Sequence, residues 1–192
     1  MKKNIIKIWS VLFIIIFCFN SAPQPKKQNK KSEFVKTKQV TFLMNTQYYP
    51  ALLREIKKAK EEIIVLMFLV RFEYDENNPI YILAQELVKA KKRGVDVKVF
   101  LDDFIIDEKL GSAANEIFYK YLDKNDIKVY IDETEKIYHT KLIIIDKEVV
   151  IVGSGNWTTS SFTLNNETSV LIRSKTIAES FLEKIKHILE HF

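Results

Sequence analysis

The chain has 192 residues, 47% of them hydrophobic and 29% charged, which fits one globular domain with an appendage and leaves no room for two full-sized domains. Its single cysteine, Cys18, excludes an internal disulfide and a thiolate metal cluster. Of 30 basic and 25 acidic residues, nine lysines and one acid (Glu33) fall in 1–38, a net of +8. The remaining 21 basic and 24 acidic residues give 39–192 a net of −3, so the basic character belongs to the N-terminal segment.

Residues 1–22 read as a signal peptide or an N-terminal membrane anchor. Lys2, Lys3 and Lys7 lead into "IWSVLFIIIFCF" (8–19), which is short for a membrane span and the right length for a signal-peptide core. Ala22 is the best small residue for cleavage, but Pro23 directly behind it disfavours the cut and keeps the anchor reading open. Phe17 before Cys18 is bulkier than lipid-attachment signals prefer. The expectation is an exported protein, periplasmic or extracellular, with possible membrane association through this segment. Residues 23–38, "PQPKKQNKKSEFVKTK", read as a basic disordered linker. It serves first as a spacer, and second as an arm that attracts nucleic acid or anionic lipid headgroups.

From residue 39 to 192 strand and helix patterns alternate. "VTFLMN" (40–45) reads as a strand, and the helix after it places Leu52, Leu53, Ile56 and Ala59 on one face. "IIVLMFLV" (63–70) reads as a strand buried on both sides, and "RFEYDENNP" (71–79) as an acidic loop. A second helix runs from Ile80 to Arg93 with Gly94 as its cap, followed by the strand "VDVKVFLD". After a looser stretch, "DFIIDEKLGS", come a helix from Ala113 to about Asn125 and the strand "IKVYI". "KLIIIDKEVVIVG" is a hairpin turning at Asp146-Lys147, and a loop over 155–166 leads to "TSVLIRS" and a terminal helix over 176–191. The pattern predicts an α/β fold, a mixed sheet flanked by helices on both faces.

The hairpin carries the chemistry. Side chains alternate along a strand, so His139 and Lys141 point the same way, and Ser154 and Asn156 share a face by the same rule. An imidazole, an ammonium, a hydroxyl and an amide then converge, one nucleophile or base and three donors, a set suited to an anionic oxygen-rich group such as a phosphodiester. A histidine on an apolar strand is more often a satisfied core residue, but the downstream spacing reverses that preference.

Over His139, Lys141, Asp146, Gly153, Ser154 and Asn156 the sequence resembles the HxKxxxxDxxxxxxGSxN pattern of the phospholipase D superfamily, and Glu167 stands where that family has a further acid. The likeness extends over most of 40–190 and is greatest to the small, single-motif, endonuclease-like bacterial members. It implies the phospholipase D-like fold for 39–192 and a phosphohistidine mechanism with no metal and no cofactor. His139 would attack phosphorus, Lys141 and Asn156 would hold the non-bridging oxygens, and Ser154 would assist. Glu167 would accept a hydrogen bond from a histidine ring, while Asp146 and Gly153 would be structural.

A double displacement needs a second histidine as acid, and the other two, His187 and His191, fall on the terminal helix. One chain holds half a site, and the resemblance implies a homodimer with the active site on its two-fold axis. Two neighbouring imidazoles cannot both charge easily, so one would be neutral and one protonated. Asp102 and Asp103 at a strand end lack a histidine or cysteine partner and read as capping, solvated acids. Trp157, Phe162, Phe68 and Phe72 are core candidates first and a stacking groove second.

Three functions remain open: a metal-independent endonuclease acting on DNA or RNA, a lipid phosphodiesterase acting on a phospholipid such as cardiolipin, and an idle phosphate-binding protein. The intact motif disfavours the last. Non-specific nucleic-acid binding is charge-driven, and the domain is net negative. The Lys-rich arm, or a patch of Lys57, Lys58, Lys89, Lys91, Lys92 and Arg93, would then have to supply the attraction.

Overall fold

A β-branched hairpin, four strand–helix units and one further strand assemble into one sheet. A computed structural model describes residues 39–102, 112–132 and 137–190. The expectations for 1–22 and 23–38, Asp103 and His191 lie outside the described residues.

In chain order the elements are β1 (Gln39–Met44), α1 (Tyr48–Lys58), β2 (Glu62–Met67), α2 (Pro79–Lys92), β3 (Asp96–Asp102), α3 (Ser112–Asp123) and β4 (Lys128–Asp132). Then come β5 (Lys141–Ile145), β6 (Val149–Gly153), α4 (Thr159–Thr163), β7 (Thr168–Arg173) and α5 (Lys175–Glu190). The sheet order is β1-β7-β6-β5-β2-β3-β4, with β2, β3 and β4 parallel and every other pair antiparallel. It is the mixed sheet that the pattern predicts.

Helices cover its faces unequally. One face packs Ile63, Val65, Val97, Val99, Ile143 and Ile151 against Leu52 and Ile56 of α1, Leu83 and Leu87 of α2, and Phe118 and Leu122 of α3. The other packs Ile64, Leu66, Ile144 and Val150 against Ala178 and Ile185 of α5. Because β2 and β5 are buried on both faces, they read as unbroken apolar runs.

Local signals fix the element ends. Asn78 caps α2, its side chain accepting from Ile80 N at 2.8 Å with Pro79 in the first helical position. Gly94, at φ 93°, donates to Lys91 O while Val95 N donates to Ala90 O, the double bond of a Schellman stop. Asp146 and Lys147 both sit near φ 50°, the left-handed pair that a two-residue hairpin requires.

Two expectations need correction. β2 ends at Met67 and does not run to residue 70: Phe68 N donates to Thr140 O, and beyond it Trp157 N donates to Leu69 O and Arg71 N to Trp157 O, so the extension pairs with the segment after β6. The loop over 155–166 contains α4, capped by Thr158, whose Oγ1 accepts from Ser161 N at 3.1 Å. Among the described residues no helix is long and apolar enough to cross a membrane.

Candidate active site

The functional residues of the hairpin gather at one end of the sheet, beyond the carboxyl ends of the parallel strands, where open α/β sheets place ligands. β2 and β3 end there, β5 begins there at Lys141, β6 ends there at Gly153, and β7 begins there at Thr168.

His139 precedes β5 and is exposed, its ring packed on Phe68 with centroids 4.6 Å apart. The Lys141 side chain runs inward. The residue is only 5% exposed, its Nζ donates to His139 O at 3.1 Å, and it lies 4.9 Å from the centroid of the same Phe68 ring. Burial pushes the Lys141 pKa down from the usual lysine value, while the negative charges of Glu167 and Asp102 oppose that shift.

Ser154 and Glu167 form the second part. The Ser154 hydroxyl donates to Glu167 Oε2 in a very short contact, its oxygen accepts from Thr168 N at 3.1 Å, and Asn165 Nδ2 donates to Glu167 Oε1 at 3.2 Å. Asn45, at φ 49° just after β1, clamps the backbone of Glu167: its N–H donates to Glu167 O and its Oδ1 accepts from Glu167 N. Among the described residues, therefore, the Glu167 carboxylate is bonded to Ser154 and Asn165 and to no histidine. Asn156 is half-buried, and its Oδ1 is buried without a hydrogen-bond partner among the described residues.

Asp146 lies at the opposite end of the hairpin. Its carboxylate accepts from the backbone N–H groups of Lys60, Glu61 and Glu62 at 2.8 to 3.2 Å, tying the β5–β6 turn to the start of β2. Gly153 lies against β7, where an added Cβ would stand 2.0 Å from Ser169 Oγ. His187 lies on α5.

The sequence does not single out Asn115, and it suggests a different role for Asp102. Asp102 is not a solvated cap: it is buried and accepts from Tyr138 N, one residue before His139. Asn115 on α3 is buried too, accepting from Val70 N at 2.8 Å and donating to Phe68 O at 3.0 Å and Asp102 O at 2.7 Å, so one amide fixes the exits of β2 and β3. A signal existed: Asn115, Phe118 and Leu122 share a helix face, and a polar residue in an apolar stripe marks a buried contact. Trp157, Phe162 and Phe72 are core residues, whereas Phe68 is half-buried against His139 and Lys141. Lys57, Lys58, Lys89, Lys91, Lys92 and Arg93 lie at the end of the sheet away from the site. Among the described residues no group of three His, Cys, Asp or Glu side chains could hold a metal ion.

Comparison with known proteins decides the family. Residues 52–189 match the family described as cardiolipin synthase, PLD-like domain. The chain belongs to the phospholipase D superfamily.

It is 33% identical over 132 residues to a phospholipase D of Rickettsia prowazekii, an alignment covering 69% of this chain and 58% of that one. The mitochondrial cardiolipin hydrolase of Homo sapiens is 34% identical over 102 residues, 53% of this chain and 38% of the relative. This superfamily member thus spans well under two thirds of the curated relatives it matches. Among solved structures, the phospholipase D family member Nuc from Salmonella typhimurium has a TM-score of 0.61 and 29% identity, covering 78% of this chain and 93% of Nuc. NucT from Helicobacter pylori shares the fold at a TM-score of 0.59 and 18% identity. The mixed seven-strand sheet is the phospholipase D-like fold.

Proposed function

We propose that this protein is a phosphodiesterase that cleaves nucleic acid, DNA or RNA, through a covalent phosphohistidine at His139 and without a metal ion. The observation that carries the reading is the pair His139 and Lys141 set around one Phe68 ring, the first exposed to incoming substrate and the second buried with its charge close behind it. A neutral imidazole nitrogen attacks phosphorus; the new P–N bond forms as the P–O bond to the leaving alkoxide breaks, and that oxygen takes a proton from a second imidazole. Water then attacks the phosphohistidine, giving up a proton to the second imidazole and releasing a phosphate monoester and free His139. Lys141 stabilises the charge that develops on the non-bridging oxygens. Asn156 adds a hydrogen bond once its amide is turned by half a rotation to present Nδ2.

The second imidazole is His139 of the partner subunit in a homodimer with the site on its two-fold axis. Glu167 of each chain keeps one carboxylate oxygen on Ser154 and meets the partner's His139 across the axis. An exposed His139 and an exposed Ser154 leave the site open on that side, which suits a polymer that must pass across it. The reading includes export through residues 1–22.

A phospholipid substrate is the second reading. Val40, Phe42 and Met44 are exposed along edge strand β1, and Phe42 lies with Val152, Val170 and Thr168 beside the Ser154 end of β6. The relatives named above as phospholipase D and cardiolipin hydrolase agree with it. One assay separates the two: the purified protein and its His139→Ala variant, incubated in EDTA with single-stranded DNA, RNA and labelled phospholipid. Cleavage of nucleic acid by the wild type alone is expected. Release of headgroup with nucleic acid intact would replace the first reading with the second.

A further inference from the structure

Lysines gather at the end of the sheet opposite the site. Lys57 and Lys58 close α1, Lys91 and Lys92 close α2, Lys60 stands in the turn into β2, and Lys147 in the β5–β6 turn. The frame beneath them is rigid: the Lys60 backbone is bonded to Asp146, and the Arg93 guanidinium donates to Ile56 O at 3.0 Å and Ala59 O at 3.4 Å, tying the ends of α1 and α2 together. Of the acids at this end, Asp96 pairs with Lys98 at 2.7 Å and Glu62 lies 3.9 Å from Lys147, while Glu61, Asp123, Asp126 and Glu148 are exposed among the lysines. Lys57, Lys58, Lys60 and Lys92 are exposed and make no ion pair among the described residues. Complementing a helix C-terminus accounts for the lysines that end α1 and α2, but not for Lys60 or Lys147.

The chain also enters the domain at this end. Gln39 pairs with Arg173, and Arg173 with Val149. The covalent connection to residues 23–38, with six lysines against Glu33, is therefore made here, and the apolar run 8–19 precedes it. A strand rises about 3.3 Å per residue, so β2 separates this end from Phe68 and the site by roughly 20 Å.

We propose that this basic end is a docking surface for an anionic lipid bilayer, holding the candidate active site on the side turned to water. The surface potential of such a membrane decays within a Debye length of about 8–10 Å, so it acts on the near end and hardly on the far one. The far end carries Glu73, Asp75, Glu76 and Glu167, which disfavour the inverted orientation. Lysines at one end and acids at the other orient the domain on such a surface. A membrane held that way is out of reach of His139, and substrate arrives from the aqueous side. This orientation agrees with the nucleic-acid reading above and not with cleavage of lipid in the docked membrane, while the docking itself is tested without substrate.

The test places the full chain in lipid nanodiscs, either zwitterionic or containing phosphatidylglycerol, and acetylates lysines for quantification by mass spectrometry. On discs with about 20% anionic lipid, labelling of Lys57, Lys58, Lys60 and Lys92 is expected to fall roughly threefold or more, while that of Lys184, midway along α5, is unchanged. Raising salt to about 0.5 M should restore it. Equal labelling in both discs overturns the proposal. Protection of the same lysines by a single-stranded oligonucleotide, but not by anionic lipid, also overturns it, since the face would then serve nucleic acid.

Discussion

Gly153 shows how tightly single residues are held at the site. A methyl group there would stand 2.0 Å from Ser169 Oγ and 2.6 Å from Thr168 O, and the second of these is backbone. Gly153→Ala must therefore push β6 from β7 beneath Ser154, costing about 1–3 kcal/mol of stability and most of the activity. Ser169→Gly should not rescue it, because the carbonyl remains; restored melting temperature and turnover in the double variant would contradict this. Asp146 predicts the opposite balance. Its carboxylate holds three backbone N–H groups far from phosphorus, so Asp146→Asn should lower stability by about 1–3 kcal/mol and leave kcat of the folded enzyme close to wild type. Denaturant melts beside kinetics check both halves. Lys141 makes a pH prediction. Its pKa is already pushed down by burial, with Glu167 opposing, so its charge is lost at lower pH than an ordinary lysine's. Removing the opposing charge in Glu167→Gln lowers it further, and the alkaline limb of the kcat/KM profile should move to lower pH. Lys141→Arg, always charged, should abolish that limb. An unmoved limb in both variants would show that another group titrates there.

At the scale of elements, apolar runs, caps and turn residues made most of the architecture legible. The β5–β6 hairpin followed from its β-branched runs and Asp146-Lys147, and the end of α2 from Gly94, because these signals are local in the chain. What escaped was set by distant partners. The apolar run 63–70 gives no reason to stop at Met67; the stop comes from Asn115 taking Phe68 O and Val70 N, and from Trp157 pairing beyond it. The same holds at the site. The motif spacing brings His139, Lys141, Ser154 and Asn156 to notice, whereas Phe68, Asp102 and Asn115, which set how the first two are presented, lie just after β2, at the end of β3 and on α3. Asn115→Ala leaves the buried Val70 N–H without a partner and frees the exits of β2 and β3. It should cost about 2–4 kcal/mol, since more than one buried bond is lost. At temperatures where the variant is fully folded, kcat should still fall, because Phe68 no longer holds His139. A variant that loses stability with unchanged kcat would restrict Asn115 to a structural role.

For the whole molecule, the proposed mechanism needs two chains to complete one site and one orientation of that pair toward its surroundings. If each site uses His139 from both subunits, co-refolding wild type with His139→Asn at equal amounts should leave about a quarter of the activity, since only the wild-type pair has both nucleophile and acid. A linear dependence on the wild-type fraction would mean that one chain suffices. The basic end and the site end lie apart along the strands, so dimerisation at the site leaves the lysine face open on each chain. The claim on which the rest depends is the covalent step at His139. It is tested most directly by mixing the enzyme with a labelled oligonucleotide in EDTA, quenching in alkali within one turnover and mapping the label by mass spectrometry. An alkali-stable, acid-labile phosphoramidate is expected on the peptide that contains His139 and not in His139→Asn. Cleavage that proceeds with no label on that peptide, or that needs a divalent ion to proceed at all, would contradict it.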